Sequence, residues 1–351
     1  MLYKKKQWIE DIDRIFSSFL NLDSLANKTI LITGATGLIC SAVVDIITRY
    51  NDTHEAKITV YAAGRRIISM QERFGDRLDR TDFQFVEYDA TTTENIFNFH
   101  ADYIIHGAGN AYPSRVMKEP VETMVGNFLG LKGLLDFARE TNAEKVLYIS
   151  SSEVYGQNED NLPYREDEYG YVDILNSRNS YSVGKRAAET LCVSYSEEYG
   201  VETVIVRPGH IYGPTASKAD NRVSSQWAYS AACGEDIIMK SDGAQIRSYC
   251  YCLDCASAIL TVLIKGENKH AYNISNPDSI INIRQMAELL AKSAGVQLRM
   301  ELPTEAERRG FNPMSNSSLD STKLINLGWK GCFDAGTGFS HTVQIIKETI
   351  C

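Results

Sequence analysis

The sequence predicts an α/β protein with a doubly wound parallel sheet, followed by a smaller mixed α/β domain in its C-terminal part. Two observations support this class. Short, wholly apolar segments such as Thr29–Thr33 alternate with helical runs, which is the pattern of parallel strands that are buried on both faces. Beyond His210 the regularity weakens, and loops are predicted at 214–221 and 303–318, as expected for a second, smaller domain.

The predicted elements of the main domain follow one another in order. Strands are predicted at 29–33, 58–62, 83–88, 103–106, 145–149 and 203–207. Helices are predicted at 40–50, at 121–140 and across Tyr181, and in the smaller domain near 223–233, 255–265 and 283–294. We therefore expect a main domain over 29–209 and a smaller one mainly over 210–351, with about 246–275 returning to the main domain.

Residues 7–26 predict an added N-terminal helix, which makes 1–28 an extension of the main domain. Its apolar positions are Trp8, Ile9, Ile12, Ile15, Phe16, Phe19 and Leu20. Its charged positions, expected on the opposite face, are Glu10, Asp11, Asp13 and Arg14. This spacing is typical of an amphipathic helix, which we expect to pack on the body of the protein or on a partner subunit.

Composition excludes several classes of protein. The chain has 351 residues, of which 44% are hydrophobic and 23% charged, as in ordinary globular domains. A net charge of -9 argues against a nucleic-acid partner. No run approaches the roughly 18 apolar residues of a membrane span, so no membrane partner is expected, and the N-terminus does not resemble a signal peptide. Eight cysteines without framework spacing indicate a reduced, cytoplasmic protein.

A glycine turn between the first strand and the first helix predicts a dinucleotide site. Gly34 and Gly37 stand where a pyrophosphate would approach the backbone at a helix N-terminus. Cys40 replaces the usual third glycine. Because that position mainly serves close packing of helix and strand, we expect a small cysteine to be tolerated at some cost. The alternative interpretation is a plain glycine turn.

The end of the second strand leaves the form of the dinucleotide open. A carboxylate usually takes the adenosine ribose hydroxyls there, but this chain has Arg65 and Arg66 instead. An arginine could accept a 2′-phosphate, so NADP stays possible beside NAD, and a solvated turn is the alternative. Asp89 follows the third strand and is predicted either to bind the adenine or to cap the next segment.

Tyr181 and Lys185 are four residues apart in a predicted helix, so their side chains share one face. A nearby ammonium favours phenolate and would lower the tyrosine pKa, giving a base near neutrality. Such a spacing also occurs by chance. Its interpretation depends on the segments that accompany it.

Five segments in order resemble the extended short-chain dehydrogenase/reductase family that modifies nucleotide sugars. They are 33–37, 150–156, Tyr181-x-x-x-Lys185, 207–214 and 247–254. The resemblance implies a Rossmann domain with NAD retained through the cycle and oxidation of the sugar at C4. It further implies that Tyr181 removes the C4 hydroxyl proton while Ser151 hydrogen-bonds the same hydroxyl. A homodimer through the helices near 121–140 and 180–199 is also implied.

The resemblance also assigns binding residues. The cofactor contacts it implies are Gly34, Thr36, Gly37, Leu38, Ile39, Arg65, Asp89, Ala90, Gly107, Ala108, Asn127, Tyr181, Lys185 and Pro208. The substrate contacts it implies are Tyr112, Arg178, His210, Arg222 and Arg247. Arginine suits the nucleotide and diphosphate because guanidinium binds phosphate oxygens in pairs. Surface salt bridges are the alternative for Arg222 and Arg247.

Within this family several stretches look most like UDP-glucuronate decarboxylases, namely 151–156, 166–173, Arg178, 185–192 and 221–225. Ser152 and Glu153 stand where that branch keeps a hydroxyl and a carboxylate beside C5. A 4,6-dehydratase typically has an aspartate at the position of Ser152, and a 4-epimerase needs neither group. Both branches stay open, because the loop 106–113 and His210 depart from the decarboxylase pattern.

Two readings from other classes remain. One is a catalytically silent dinucleotide-binding protein, against which the complete set of Ser151, Tyr181 and Lys185 argues. The other is a net dehydrogenase or reductase that consumes its cofactor. The cysteines of 250–255 do not predict a metal site, because no second cluster stands at ligand spacing, and His106 is expected to be structural.

Overall fold

The computed structural model describes residues 1–92, 95–109, 111–158, 161–304 and 314–350. Its strands are β1 Thr29–Thr33, β2 Thr59–Gly64, β3 Phe83–Glu87, β4 Tyr103–His106, β5 Lys145–Ile149, β6 Thr203–Pro208, β7 His210–Tyr212, β8 Ile237–Met239, β9 Ile246–Tyr251, β10 His270–Ile274, β11 Ile280–Asn282, β12 Leu298–Met300 and β13 Asn316–Ser317. Seven of these strands form a parallel sheet in the order β10-β6-β5-β4-β1-β2-β3. The predicted α/β class with a doubly wound sheet is confirmed.

The described helices are α1 Lys6–Ser18, α2 Cys40–His54, α3 Ile67–Phe74, α4 Pro113–Lys118, α5 Pro120–Thr141, α6 Ser180–Tyr199, α7 Val223–Ala232, α8 Cys252–Lys265, α9 Ile283–Ala294, α10 Thr322–Ile325 and α11 Ala335–Ile350. Helices α2 and α8 cover one face of the parallel sheet and α5 and α6 the other, whereas α7, α9 and α11 pack against one another in the smaller domain. In β1, Ile30 and Ile32 pack into the core that includes α2 and α8, whereas Leu31 packs into the core that includes α5 and α6. Because alternate strand residues point to opposite faces, a wholly apolar strand fits only a sheet that is covered on both sides.

The smaller part of the chain contains a mixed sheet. In it, β9 pairs antiparallel with β11 and parallel with β7 and β13. The strand β10 leaves this region and pairs with β6 at the edge of the main sheet, as expected for the returning segment. These contacts support the predicted domain boundaries, which stay a prediction.

The N-terminal extension differs from its prediction in length and in one charged residue. The helix ends at Ser18, and a short 3-10 turn at Asp23–Leu25 follows. Asp11 was expected on the solvent face but is buried. There it accepts a hydrogen bond from the Tyr251 hydroxyl at 3.1 Å and lies 2.9 Å from His341 Nδ1. A charged residue can join the buried face when polar partners meet it, and spacing alone does not reveal such partners.

The C-terminal loop predicted at 303–318 is only partly described. Residues 305–313 lie outside the described part of the chain, and β13 occupies part of the rest. Across the described ranges, no helix is both long and apolar enough to cross a membrane.

Candidate active site

The turn between β1 and α2 brings the chain close to the end of β4. Gly34 has a φ of +69°, and a Cβ atom there would lie 2.8 Å from the carbonyl oxygen of Gly107. Gly37 is exposed, and a Cβ on it would meet only the carbonyl oxygen of Gly34, at 3.1 Å. The first glycine is therefore required by the fold, whereas the second keeps the backbone open to solvent. The predicted cofactor residues Thr36, Leu38 and Ile39 complete this turn.

Cys40 occupies the place that the usual third glycine would leave empty. A Cβ atom on Gly107 would lie 2.3 Å from the Cys40 sulfur, so the cysteine side chain fills the space beside Gly107. Cysteine fits at position 40 because residue 107, which directly follows β4, is a glycine. This agrees with the packing role predicted for position 40. The thiol is fully buried, and burial raises its pKa to about 12.

Asp89 and Arg65 lie together at the end of the adjoining strands. One carboxylate oxygen of Asp89 accepts hydrogen bonds from the backbone and hydroxyl of Thr91, at 2.9 and 2.8 Å. Burial would raise the pKa of Asp89, but these hydrogen bonds and the charge of Arg65 outweigh it and lower the pKa. The capping role that was one of its two predicted roles is therefore present. Arg65 and Arg66 are exposed.

Tyr181 and Lys185 lie in the first turns of α6, beside the carboxyl ends of β4 and β5. The Lys185 ammonium donates a hydrogen bond to the Ile149 carbonyl oxygen at 2.8 Å. It stands 4.6 Å from the centre of the Tyr148 ring and 5.7 Å from that of Tyr181. The two side chains share one face, as the four-residue spacing predicts. Burial lowers the pKa of Lys185 to about 7.

The predicted effect of Lys185 on Tyr181 is wrong for the protein alone. Burial and the Glu153 carboxylate raise the pKa of Tyr181 to about 12, against the opposing effects of a Ser151 hydrogen bond and the charge of Arg222. Because the Lys185 ammonium is bonded to a backbone carbonyl and is itself destabilised by burial, it does not overcome these effects. The hydrogen bond between Ser151 and Tyr181 nevertheless brings the predicted proton acceptor and its partner together.

A short 3-10 turn, Ser152–Tyr155, presents the remaining predicted catalytic groups. The Ser151 hydroxyl accepts a hydrogen bond from the Glu153 amide at 3.2 Å and starts this turn. The Ser182 hydroxyl, on α6, donates to a Glu153 carboxylate oxygen at 3.3 Å. Ser152 is half-buried at the start of the same turn. Ser151, Ser152 and Glu153 therefore face the catalytic helix within one short segment.

Glu153 is solvent-accessible, yet protein surrounds it on most sides because it lies within a cleft. Partial desolvation raises the pKa of its carboxyl group, while the Ser182 hydrogen bond and the charge of Arg178 oppose that rise. Arg178 itself is exposed and just precedes α6. The predicted substrate residue Arg178 and the predicted catalytic residue Glu153 thus act on each other electrostatically.

The other predicted substrate residues meet on the side of the smaller domain. The Arg222 guanidinium lies 5.9 Å from the Tyr112 ring centre and is hydrogen-bonded to Asp220. Its charge acts on both Tyr181 and His210. Arg247 is buried, donates to the carbonyl oxygens of Ile246 and Met314, and also acts on His210. Arg222 therefore connects Tyr181 with Tyr112 and His210, and the substrate-binding roles of the five residues stay predictions.

Asn127, Ala90, Pro208 and Ala108 are predicted cofactor residues outside the glycine turn. Asn127 is buried on α5, donates to Thr123 and packs against Gly184 of the catalytic helix. Ala90 is buried against Gly130 of α5. Pro208 ends β6. Ala108 adjoins Gly107 after β4, and its amide donates to Thr33 Oγ1 at 3.3 Å. All of them therefore lie at the carboxyl edge of the parallel sheet or in the helix beside it.

His106 is fully buried, as expected for a structural residue. Its Nδ1 lies 2.7 Å from Thr33 Oγ1, and its ring stacks on Tyr148. Burial and the charge of Lys185 lower the pKa of His106 to about 3.

Three residues that matter to the geometry were missed in the sequence. Ser182 binds Glu153, Asp220 orients Arg222, and Arg186 donates to the carbonyl oxygens of Val154 and Tyr155. The signal for Asp220 was present, because it stands two residues before Arg222. Ser182 and Arg186 each follow a predicted catalytic residue in α6. Because consecutive helix residues point to different faces, their positions in the sequence provide no reason to place them at the site.

A parallel Rossmann sheet, a glycine turn and a Tyr-Lys pair at its carboxyl edge define a nicotinamide-cofactor enzyme of the short-chain dehydrogenase/reductase class. The NAD dependent epimerase/dehydratase family matches residues 30–275, which is more than half of the chain, and the chain belongs to that family.

Similar proteins come from several branches of this family. The chain is 28% identical over 326 residues to UDP-glucuronic acid decarboxylase 1 of Danio rerio, covering 92% of this chain and 73% of the other. It is 30% identical over 309 residues to UDP-glucuronic acid decarboxylase 6 of Arabidopsis thaliana, covering 87% and 84%. These likenesses bear out the predicted resemblance.

Solved structures of the same fold include two with other named activities. UDP-glucose 4-epimerase of Thermotoga maritima, solved with UDP-glucose, has a TM-score of 0.79 at 24% identity, over 92% of this chain and 100% of the other. The dTDP-glucose 4,6-dehydratase of Bacillus anthracis, solved with NAD, has a TM-score of 0.74 at 18% identity, over 92% and 97%. At these identities the likeness shows the fold.

Proposed function

We propose that this protein is a nucleotide-sugar enzyme that oxidises its substrate at the sugar C4 with a retained NAD and decarboxylates UDP-glucuronate to UDP-xylose or its 4-keto form. The observation that carries the proposal is the meeting of Tyr181, Ser151 and Glu153 in one cleft. The two decarboxylase relatives support the branch, at 28% and 30% identity over most of the chain.

The residues of the glycine turn fit a dinucleotide. A side chain on Gly37 would project into space that is otherwise open, and Gly34 cannot carry a side chain at all. The pyrophosphate would approach Gly34, Thr36, Gly37, Leu38 and Ile39. The adenosine end would meet Arg65, Asp89 and Ala90, and the nicotinamide end would meet Gly107, Ala108, Asn127, Tyr181, Lys185 and Pro208. When bound, oxidised nicotinamide supplies a hydride acceptor and a positive charge.

Tyr181 takes the proton from the sugar C4 hydroxyl, and Ser151 holds that hydroxyl through a hydrogen bond. The pKa of about 12 in the protein alone makes phenolate rare near neutral pH, so positive charge must approach Tyr181 before it acts as a base. Lys185, 5.7 Å from the Tyr181 ring centre, and Arg222, whose charge already lowers the pKa of Tyr181, are two cationic side chains that could contribute that charge. Arg178, His210, Arg222, Arg247 and Tyr112 bind the substrate.

The later step follows from the chemistry of the oxidised sugar. With a ketone at C4, the carboxylate on C5 belongs to a β-keto acid, whose C5–carboxylate bond breaks with release of carbon dioxide and formation of an enolate. A proton is then returned to C5. Return of the hydride to C4 would give UDP-xylose and oxidised NAD, whereas release of the 4-keto sugar would leave the cofactor reduced. Glu153, whose pKa is raised, and Ser152 are the groups placed for that transfer. A 4,6-dehydratase or a 4-epimerase is the alternative enzyme, and a silent Rossmann binding protein is the alternative of another class.

The test is a panel of UDP-, GDP- and dTDP-sugars, analysed by mass spectrometry and NMR. Loss of the mass of carbon dioxide from UDP-glucuronate is the expected result. Loss of the mass of water would favour the dehydratase, and unchanged mass with a new spectrum would favour the epimerase. If dinucleotide-loaded protein turns over none of the sugars, the silent binding protein is favoured instead. A stoichiometric change in cofactor absorbance without loss of carbon dioxide would favour a net dehydrogenase or reductase.

The form of the cofactor is tested separately by releasing the bound dinucleotide from purified protein and weighing it. NAD is expected, and a 2′-phosphate on the released dinucleotide would instead assign Arg65 and Arg66 to NADP. A homodimer through α5 and α6 is proposed because Val121, Met124 and Phe128 of α5 are exposed apolar side chains, and light scattering measures it. The cytoplasmic location stays a prediction.

A further inference from the structure

His210 stands on a face of the small sheet that it shares with Arg247, for which the described residues provide no counter-charge. In the parallel pairing of β9 with its neighbours, Tyr249 lies opposite His210 and Arg247 opposite Ser317. Because Arg247 and Tyr249 are two residues apart on one strand, their side chains point to the same face. The side chains of His210, Ser317, Arg247 and Tyr249 therefore share that face.

Two buried polar atoms on this face lack hydrogen-bond partners. They are Nδ1 of His210 and Oγ of Ser317, for which no partner occurs among the described residues. Buried polar atoms without partners are costly and uncommon. Since both lie beside Arg247, a ligand that contacts Arg247 would also be within reach of them.

The charge balance around His210 is positive. The Arg247 side chain donates only to backbone carbonyl oxygens, and no carboxylate of the described residues forms an ion pair with it. Arg222, at the start of α7, is the second cation that acts on His210, and its partner is Asp220. The ring of Tyr249 lies 5.8 Å from that of His210 and adds no charge near neutral pH. A cleft with this balance favours an anion.

We infer that His210 takes up a proton when the diphosphate of the nucleotide sugar binds between Arg222 and Arg247, so that the affinity for the substrate rises as the pH falls. The inference rests on the proposed function, because it needs a diphosphate ligand. In the protein alone, burial and the two arginines lower the pKa of His210 to about 3. Two negative charges at the same place offset the arginines and favour the imidazolium.

The sign follows from linkage. A group that binds a proton only in the complex makes the complex more favourable at lower pH, by up to tenfold in affinity per pH unit for one whole proton. A nucleotide sugar has both phosphates esterified, so its own charge is constant near neutrality. A dependence on pH that disappears with His210 therefore belongs to this side chain.

The experiment is calorimetric titration of UDP-glucuronate, UDP-glucose, GDP-mannose and dTDP-glucose into the dinucleotide-loaded protein with Tyr181→Phe, which prevents turnover. Each ligand that binds is titrated in two buffers of different ionisation enthalpy, between about pH 5.5 and 7.5. We expect proton uptake on binding that increases as the pH falls from about 7.5 to 5.5 and does not exceed one proton per ligand bound. His210→Asn should abolish the proton uptake and remove the dependence of the ligand affinity on pH. His210→Gln, whose amide side chain is longer, should have the same effect.

Tyr249→Phe is the matched control, since it changes a neighbouring side chain of the same face and should keep the uptake. Binding without proton uptake, or equal uptake in His210→Asn, overturns the inference and leaves the proposed function standing. Binding of none of the four nucleotide sugars, UDP-glucuronate included, overturns both. Circular dichroism and thermal unfolding of each variant verify that the fold is retained.

Discussion

Two buried nitrogens, one on Lys185 and one on His106, show what burial does to single residues near the cleft. Burial is the leading cause that lowers the pKa of Lys185 to about 7 and that of His106 to about 3. In both cases desolvation disfavours the charged form. Neither shift follows from the types of the residues. Both depend on how completely the sheet and its helices exclude water.

His106 makes the stability of the protein depend on pH. Its pKa is about 3 in the fold and has a reference value of 6.5 when unfolded. Between these values the unfolded chain binds more protons, so the free energy of unfolding falls as the pH drops below about 6.5, by at most about 1.4 kcal/mol per pH unit. In His106→Asn this share of the dependence should disappear, as measured by denaturant unfolding at pH 6.5 and 4.5.

The comparison of slopes guards against a simple packing defect in that variant. His106→Asn also alters the contact with Thr33, which lowers stability at every pH. An unchanged slope between the two pH values would show that His106 does not titrate as described. His210 contributes equally to both proteins, because its pKa is lowered in the same way.

Tyr181 gives the sharpest prediction for chemistry at this scale. Tyr181→Phe removes the hydroxyl that is hydrogen-bonded to Ser151 and should abolish sugar oxidation, because no proton acceptor of that geometry is left. Dinucleotide binding, measured by calorimetry, should stay nearly unchanged since the glycine turn is intact. Substantial remaining activity would reject Tyr181 as the base. Val183→Ala, on the same helix, is the control.

Among single residues, sequence reasoning predicted which side chains meet better than how they behave. The four-residue spacing correctly placed Tyr181 and Lys185 on one face. The predicted lowering of the Tyr181 pKa failed, because Glu153 approaches from a different segment and the Lys185 ammonium is held by Ile149. Such effects come from distant parts of the chain, which a local spacing cannot represent.

At the scale of elements, the catalytic helix α6 and the turn Ser152–Tyr155 form one unit. Arg186 donates to the carbonyl oxygens of Val154 at 2.6 Å, Tyr155 at 3.2 Å and Gly170 at 3.0 Å. A second link runs from Glu189 of α6 through Arg207 to the Tyr155 hydroxyl. The turn that carries Ser151 and Glu153 is thereby held against the helix that carries Tyr181.

Arg186→Lys should separate turnover from binding. Lysine keeps the positive charge but lacks the planar guanidinium group that donates to three carbonyl oxygens. The turn should therefore shift relative to Tyr181. We expect kcat to fall between about 10- and 100-fold, with little change in the KM for the sugar nucleotide or in dinucleotide affinity. Arg299→Lys, at an exposed position of β12, is the matched control. Turnover equal to that of the wild type would mean that Arg186 does not position the turn.

The ends of some strands and helices could be predicted from the sequence, and the ends of others could not. The strands at 29–33, 103–106 and 145–149 agree with the structure, because wholly apolar segments between glycine and polar residues have clear ends. The N-terminal helix was predicted too long, since Phe19 and Leu20 continue the apolar spacing after the helix has ended at Ser18. Both residues still pack against the core, so a hydrophobic pattern marks burial and not hydrogen bonding.

At the scale of the whole molecule, α1 joins parts of the chain that are far apart in sequence. It packs against α2, α8 and α11. The Trp8 indole is fully buried and donates to Asp45 at 2.9 Å, and Asp45 also pairs with Arg73 and Arg77. Asp11 adds the contacts with Tyr251 and His341. The extension therefore helps to hold the two predicted domains together.

Substitutions at Trp8 should lower the stability of the whole molecule without changing the cleft. Trp8→Ala should cost about 3–5 kcal/mol of unfolding free energy, as for other large buried side chains. Trp8→Phe should cost about 1.5–3 kcal/mol, because it removes a hydrogen bond to a buried carboxylate. Denaturant unfolding measures both, and Lys6→Ala, on the exposed side of the same helix, is the control. Full stability in Trp8→Ala would contradict a structural role for the extension.

The fold and the chemical class were within reach of the sequence, and the reaction branch was not. The glycine turn, the strands and the Tyr-Lys pair follow one another in the order that the family shows, so the resemblance to that family is specific. The branch depends on Ser152, Glu153 and Arg178, whose arrangement around a sugar is decided by packing between segments. His210 illustrates the same limit, because its unpartnered nitrogen becomes visible only beside β9.

The contact between Cys40 and Gly107 constrains how this sequence can evolve. Two positions 67 residues apart share a volume that admits one side chain, because a methyl group on Gly107 would overlap the Cys40 sulfur at 2.3 Å. Glycine at position 40 would free room for alanine at position 107. Larger side chains at both positions would push β4 away from the turn. The two sites should therefore covary among descendants of this chain, because alanine at position 107 is tolerated only when position 40 carries glycine.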